Sequence, residues 1–191
     1  MATPVAHSIF ALIIYKFSGL SQKSRIWLDG FIFIVIANFA DFDYIFGFIE
    51  GKPNAYHHQF THSIFFALVV AAIAGFVFFQ RWGINYRAAF MIMFLVYGSH
   101  LLIDFFTVDT SAPYGQQLFW PVSTEHFISP LSIFRDVHKG NTPAEFWKGI
   151  FSLHNLITIA VELAIFGPLF LMINFIKTKT SNRNINVRKQ A

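Results

Sequence analysis

Apolar residues gather in five runs, at residues 5–15, 26–39, 62–79, 88–106 and 150–176, parted by polar stretches. A helix needs roughly 17–25 apolar residues to cross a hydrocarbon core. The last three runs meet that length. The first two are marginal and call for half-insertion or for burial against neighbours. Between the fourth and fifth runs lies a long segment, residues 107–149, with Pro113, Pro121, Pro130 and Pro143 and much of the remaining polarity. Loops of that length are functional or disordered in most proteins. This one carries Phe119, Trp120, Phe127, Phe134 and Trp147, which predicts an ordered segment packed at a membrane interface, where Trp sits well. No internal repeat is visible.

Composition agrees with that outline. The chain has 191 residues, 55% hydrophobic and 13% charged, with 26 Phe, and its mean hydropathy is +0.52. Soluble domains run near about 45–50% apolar and about 25% charged, so too little polar surface remains to solvate a globule. The predicted fold is all-α: a polytopic membrane helical bundle of about five spans. Residues 1–176 form one membrane-embedded domain, with 107–149 as its outer loop, and residues 177–191 form a basic cytoplasmic tail. The absence of Cys excludes disulfides and thiolate metal sites. No Lys or Arg precedes Lys16 and no small-residue cleavage site follows the first run, so no signal peptide is expected and the N-terminus is retained.

The net charge of +4 does not indicate nucleic acid. Five of the fourteen basic residues, Lys177, Lys179, Arg183, Arg188 and Lys189, fall in the last fifteen positions, as suits a tail beside anionic lipid. With that tail in the cytoplasm, Lys16, Lys23, Arg25, Arg81 and Arg87 also face inward, and only Lys52, Arg135, Lys139 and Lys148 face outward. The positive-inside rule is then met with the N-terminus outside. The expected location is the bacterial inner membrane, in several passes.

The same orientation gathers the titratable residues at the outer face. His7 opens the first run. Asp41 and Asp43, in NFADFDYIF, follow the second. His57, His58 and His62, in AYHHQFTHSIFF, precede the third. His100 and Asp104, in YGSHLLIDFF, close the fourth, and His154 opens the fifth. Ionisable groups at membrane depth are costly and are rarely left unpartnered. His100 and Asp104, four apart, project from one helix face. His58 and His62 do the same if the helix already includes residue 58; otherwise His57 and His62 converge from a loop and a helix start. Asp41 and Asp43 reach the same side from a turn.

Each group has a plainer reading as well. Asp41 and Asp43 can cap a span, His7 can be interfacial, one of His57 and His58 can be a loop residue, and His100 with Asp104 can be a polar contact inside a bundle. Joint placement at one face favours a metal site, and the donors exceed what one four-coordinate ion needs. Glu125, His126, Asp136 and His138 read as solvated loop residues. His154 stays open. Glu162 is either a neutral group bonded to a neighbouring helix or a proton-handling residue. Ser63, Ser99 and Ser123 lie near histidines, but nothing marks one as a nucleophile. No phosphate-binding loop or nucleophile elbow is present.

At these residues the sequence resembles the YdjM-like family of bacterial membrane proteins, usually described as membrane-bound metal-dependent hydrolases. The family pattern of an early His, P-D-x-D, H-R-G-x-T-H-S, S-H-x-x-x-D-x-x-T and G…L-x-W-P-x-S corresponds here to His7, ADFD with Asp41 and Asp43, HHQFTHS with His57 and His62, SHLLIDFFT with His100 and Asp104, and GQQLFWPVS. The likeness covers roughly residues 1–125. Ala40 stands where the family has Pro, and HHQ replaces H-R-G. The resemblance implies His7, Asp41, Asp43, His57, His62, His100 and Asp104 as metal ligands, with His58 the alternative to His57. It implies Asp41, Asp43, His62 and Asp104 as catalytic. One to three divalent ions are expected, zinc first, with Mn or Fe as alternatives. A more distant similarity to helical zinc-dependent phospholipases C and single-strand nucleases implies phosphoester hydrolysis, by analogy. The expected partners are membrane lipid and a lipid-like or lipid-linked substrate, with no nucleic acid. The competing expectation is a non-catalytic membrane protein or a metal transporter with a His/Asp ion-binding cluster.

Overall fold

A computed structural model describes residues 1–20, 26–110 and 114–190. Lys23, Arg25 and Pro113 lie outside the described residues, as do the side chains of Arg183, Arg188 and Lys189. The fold is all-helical. Its helices are α1 (Pro4–Phe17), α2 (Ile26–Ala37), α3 (Tyr44–Ile49), α4 (Ile64–Trp82), α5 (Tyr86–Phe105), α6 (Pro143–Ile150) and α7 (Leu153–Gln190). Short 3-10 turns at Phe39–Asp43 and Phe60–His62 precede α3 and α4.

Local chemistry sets the boundaries. Thr3 caps α1 by accepting from the Val5 N–H, with Pro4 in the first turn, where its missing N–H costs nothing. Ser63 and Asn85 cap α4 and α5 the same way, accepting from Phe66 and Ala88. Gly83, at φ 63°, ends α4 in the left-handed conformation that glycine adopts without strain. A tight α4–α5 hairpin follows.

The five predicted runs become three spans, one broken span and one short helix. α4, α5 and residues 153–177 of α7 are long and apolar enough to cross a membrane. α2 and α3 qualify only as a pair, bent by 58° at the break. α1 has 14 residues and is packed against α2, α5 and α7. The basic segment read as a tail continues α7 as far as Gln190. The described residues of 107–149 are largely irregular apart from α6. They seal helix ends: the Leu118 carbonyl accepts from the Ile64 N–H, and the Phe105 and Phe106 carbonyls accept from Ser129, Ile133 and Phe134. Phe134 is buried, whereas Phe119 and Trp147 are about half exposed.

Ala67, Ala71 and Gly75 form a small-residue stripe on α4 against α5, and all are buried. Small residues let helix backbones approach closely where lipid offers no hydrophobic gain. At the end of the bundle reached by the N-terminus of α2 and the C-terminus of α4, Asp29 is buried and its carboxylate accepts from the Arg81 guanidinium at 2.9 Å.

A Cβ on Gly75 would lie 2.8 Å from the Phe90 Cα, whereas one on Gly98 meets nothing within 4 Å. Gly75→Ala is therefore expected to lower stability by about 1–3 kcal/mol through overpacking. Gly98→Ala should hold or raise it, because alanine is the better helix former. Thermal unfolding in detergent reads both; equal behaviour would refute this account of the α4–α5 contact.

Candidate metal centre

The break after α2 builds the centre. Ending a helix frees carbonyls, and here the Ala37 carbonyl accepts from His100 Nδ1 at 2.7 Å. That bond places the His100 proton on Nδ1 and leaves the Nε2 lone pair aimed inward. The 3-10 turn that follows carries Asp41 and Asp43 into the bundle, where non-helical backbone is tolerated because it lines a protein interior.

Asp43 works from behind two histidines. One oxygen lies 3.1 Å from His57 Nδ1. The other lies 3.2 Å from His62 Nδ1 and accepts from the Thr61 hydroxyl at 2.9 Å. Both oxygens are committed, so Asp43 orients His57 and His62 instead of facing the centre. Thr61 is held in turn by the Tyr97 hydroxyl, which donates to its carbonyl at 2.7 Å. Asp104 is fixed by the Ala2 N–H at 2.7 Å on one oxygen, and its other oxygen has no partner.

Four inward atoms then stand together: His62 Nε2, His100 Nε2, Asp41 Oδ1 and Asp104 Oδ2. The two nitrogens are 3.2 Å apart. His100 lies 3.6 Å from Asp41 and 3.3 Å from Asp104, and His62 lies 3.7 Å from each. A tetrahedral ion about 2.1 Å from each donor holds them about 3.4 Å apart. His62, His100 and Asp104 thus stand 3.2 to 3.7 Å apart, close to the spacing an ion requires, and Asp41 Oδ1 lies 3.6 and 3.7 Å from the two nitrogens. Two lone pairs facing each other at 3.2 Å repel unless a cation or proton lies between them.

The other predicted ligands border this quartet. His7, fully buried, stacks on His100 with centroids 3.8 Å apart, and neither of its ring nitrogens has a hydrogen-bond partner. Its Nε2 is 3.4 Å from Asp104. His57 and His58 keep their Nε2 atoms unpartnered, as Asp41 does both oxygens. His57, His58 and His62 offer ligand atoms within 4.8 Å of one another. Orphaned buried acceptors from five residues, converging on one chamber, are the pattern a small group of divalent cations would satisfy.

His58 belongs to the chamber along with His57. It is held at φ 66°, a strained conformation for a residue with a side chain. Its ring lies 3.6 Å from Asp104 on one nitrogen and 3.6 Å from Asp109 on the other. Asp109 and Thr61 had no signal in the sequence: Asp109 follows the end of α5, where helical spacing no longer predicts direction.

Charges behave as the geometry suggests. Burial pulls the His62 imidazole down, but the neighbouring carboxylates of Asp41 and Asp43 outweigh it and raise its pKa to about 9. Burial, reinforced by the neighbouring His58, holds His57 well below the usual histidine range.

The remaining candidates lie elsewhere. Ser63 caps α4, Ser99 donates to the Val96 carbonyl, and Ser123 accepts from the Glu125 N–H. Glu125 is exposed and His126 half-buried. Asp136, His138 and His154 form a separate, partly exposed cluster at the start of α7. Glu162 accepts from the Thr3 N–H at 2.8 Å and from its hydroxyl, tying α7 to the start of α1.

With a pKa of about 9, ion-free His62 carries its proton at pH 7.5, and an ion taking Nε2 must displace it. Zinc titrated into chelator-stripped protein is expected to release at least about one proton per protein, seen as a buffer-dependent calorimetric enthalpy. The His62→Ala, His100→Ala variant should lose most zinc binding. Binding without proton release would remove His62 from the site.

A family profile described as YdjM inner membrane protein matches residues 1–181. Comparison with curated proteins and with solved structures gives no match. The match spans the chamber and nearly all of the helical framework, and the chain belongs to the YdjM inner membrane protein family.

Proposed function

We propose that the chain is a membrane-bound, metal-dependent hydrolase that cleaves phosphoester bonds of a lipid or lipid-linked substrate at the outer face of the bacterial inner membrane. The observation that supports it most is the close set of His62, His100 and Asp104, 3.2 to 3.7 Å apart with Asp41 beside both nitrogens, bordered by unpartnered ring nitrogens of His7, His57 and His58. Imidazole and carboxylate donors without thiolate suit zinc, with Mn or Fe as alternatives. One to three ions fit the donors present. Divalent ions in such a site supply Lewis acidity toward a phosphoryl oxygen and lower the pKa of water.

The chain's own groups divide the work. Asp43 and the Ala37 carbonyl hold His62 and His100 in the tautomers that present Nε2. Asp41 offers Oδ1 to the quartet and keeps an unpartnered Oδ2 to accept the proton of an attacking water. At 14% its side chain is the most exposed of the inner carboxylates, against 0% for Asp43 and 1% for Asp104. Apolar groups around this end are open: Val122 is 92% exposed, Ile49 78% and Leu131 72%. Such a rim suits the headgroup boundary of a bilayer and favours an amphiphilic substrate. The Trp120 ring packs on Phe60 and Phe65, which flank His62 in the chain. A transporter would need polar groups continuing through the bilayer, whereas the Glu162 carboxylate is bonded to Thr3.

Reporter domains that require the periplasm are expected to be active when fused near Asn54 and inactive after Ala191. The reverse pattern would place the chamber on the cytoplasmic side. Zinc-loaded protein in mixed micelles is expected to hydrolyse a phosphomonoester, phosphodiester or pyrophosphate lipid, with Asp41→Asn reducing the rate by about 100-fold or more. Tight zinc binding with no turnover of any class would instead identify a non-catalytic ion-binding protein.

A further inference from the structure

We propose that Lys139 is the substrate-positioning cation of the chamber, taking an anionic phosphate oxygen of a ligand held at the candidate metal centre. This rests on the hydrolase reading and adds the residue that recognises the phosphate. Lys139 comes from the long segment 107–149, far in sequence from every histidine of the chamber. Its backbone neighbour His138 is pinned by Asn155, which accepts from the His138 N–H and donates to the His138 carbonyl, both at 2.8 Å. Asn155 is 2% exposed, so the clamp is shielded from water. The clamp sends the Lys139 side chain inward, and its ammonium donates to the Tyr44 hydroxyl at 2.7 Å. The Tyr44 ring stacks on His57 with centroids 4.2 Å apart. The ammonium is therefore one aromatic layer from the donors of the centre.

Its surroundings are poor in countercharge. Besides Tyr44 its hydrogen-bond partner is the Met1 sulfur at 3.3 Å, a weak acceptor. Among the described residues no carboxylate lies within 4 Å of it. Lys139 is half-buried, and its ammonium carries three donors. Asp41, Asp104, Asp109 and Asp43 act on Lys139 through space and oppose the effect of its burial. Divalent ions in the chamber would consume that negative charge. The Lys139 charge would then stand uncompensated beside cations, a position stabilised by an anion bridging the two. A phosphate group, with several charged oxygens, can bridge them.

Access agrees with this role. Lys139 lines a cavity of about 440 Å³ with Thr110, His138, Gly140, Glu145 and Lys148. Thr110 follows Asp109, the carboxylate beside His58. Lys139 thus lies between an accessible cavity and the chamber.

The test titrates zinc-loaded, detergent-purified protein with inorganic phosphate and, separately, with a short-chain phosphatidic acid, using wild type, Lys139→Met and Lys139→Arg. The Met variant is expected to bind zinc as wild type does and to lose about tenfold to a hundredfold in phosphate affinity, as for one charged hydrogen bond. The Arg variant should recover part of that loss. A larger loss with phosphatidic acid identifies a lipid phosphate as the ligand; an equal loss identifies phosphate alone. Wild-type phosphate affinity in Lys139→Met overturns the proposal, and so does absence of phosphate binding by the zinc-loaded wild type. Equal loss in both variants together with reduced zinc uptake shows a structural role and also overturns it. If wild type binds zinc and phosphate through Lys139 yet hydrolyses no lipid, the hydrolase reading fails and the anion site stands.

Discussion

The hydrogen bond from His100 to the Ala37 carbonyl, at 2.7 Å, joins the backbone to the chemistry. A continuous α2–α3 helix would keep its carbonyls to itself and would carry Asp41 and Asp43 along a lipid-facing stripe. Breaking it frees an acceptor, and leaving that acceptor unmet in an apolar bundle would cost several kcal/mol. His100 meets the need and is thereby fixed in one tautomer with Nε2 turned inward. A helix terminus that would otherwise weaken the fold orients a donor of the site.

Similar economy runs through the neighbouring contacts. Asp43 holds two imidazoles by their Nδ1 atoms, the Ala2 N–H holds one oxygen of Asp104, and Thr61 holds Asp43 while Tyr97 holds Thr61. The inward atoms of His62, His100 and Asp104 are each aimed by a partner behind them. Such outer partners control ligand orientation and basicity in metal sites. The chamber itself keeps several unsatisfied buried acceptors that face one another. Repulsion among them opposes folding, and a cation reverses its sign.

The framework is arranged to hold this cost. The small-residue stripe of α4 brings α5 close, which sets His62, at the start of one helix, against His100, near the end of the other. α1 is too short to cross a membrane but is packed among α2, α5 and α7, delivering His7 to the same level. Glu162 fastens α1 to α7 through Thr3. The long loop supplies carbonyls and N–H groups to the helix ends around the chamber and, through Lys139, a cation beside it.

Hydropathy alone determined the helical membrane class, because an apolar run of span length has few other ways to satisfy its backbone. Spacing alone determined that His100 and Asp104 share a face, since the helical period fixes side-chain direction within an element. Loop charges grouped the titratable clusters at one end without any structural input. The sequence left other features open. The break after Ala37 and the start of α3 beyond the second run, the left-handed backbone that brings His58 in beside His57, and the withdrawal of Asp43 behind two histidines depend on partners far along the chain. Asp109, Thr61 and Lys139 lie in or beside non-helical segments, where no period predicts direction. Their roles arose only when tertiary packing decided which buried polar atom would face which, because the cost of an unpaired group depends on its neighbours in space and not on its neighbours in sequence.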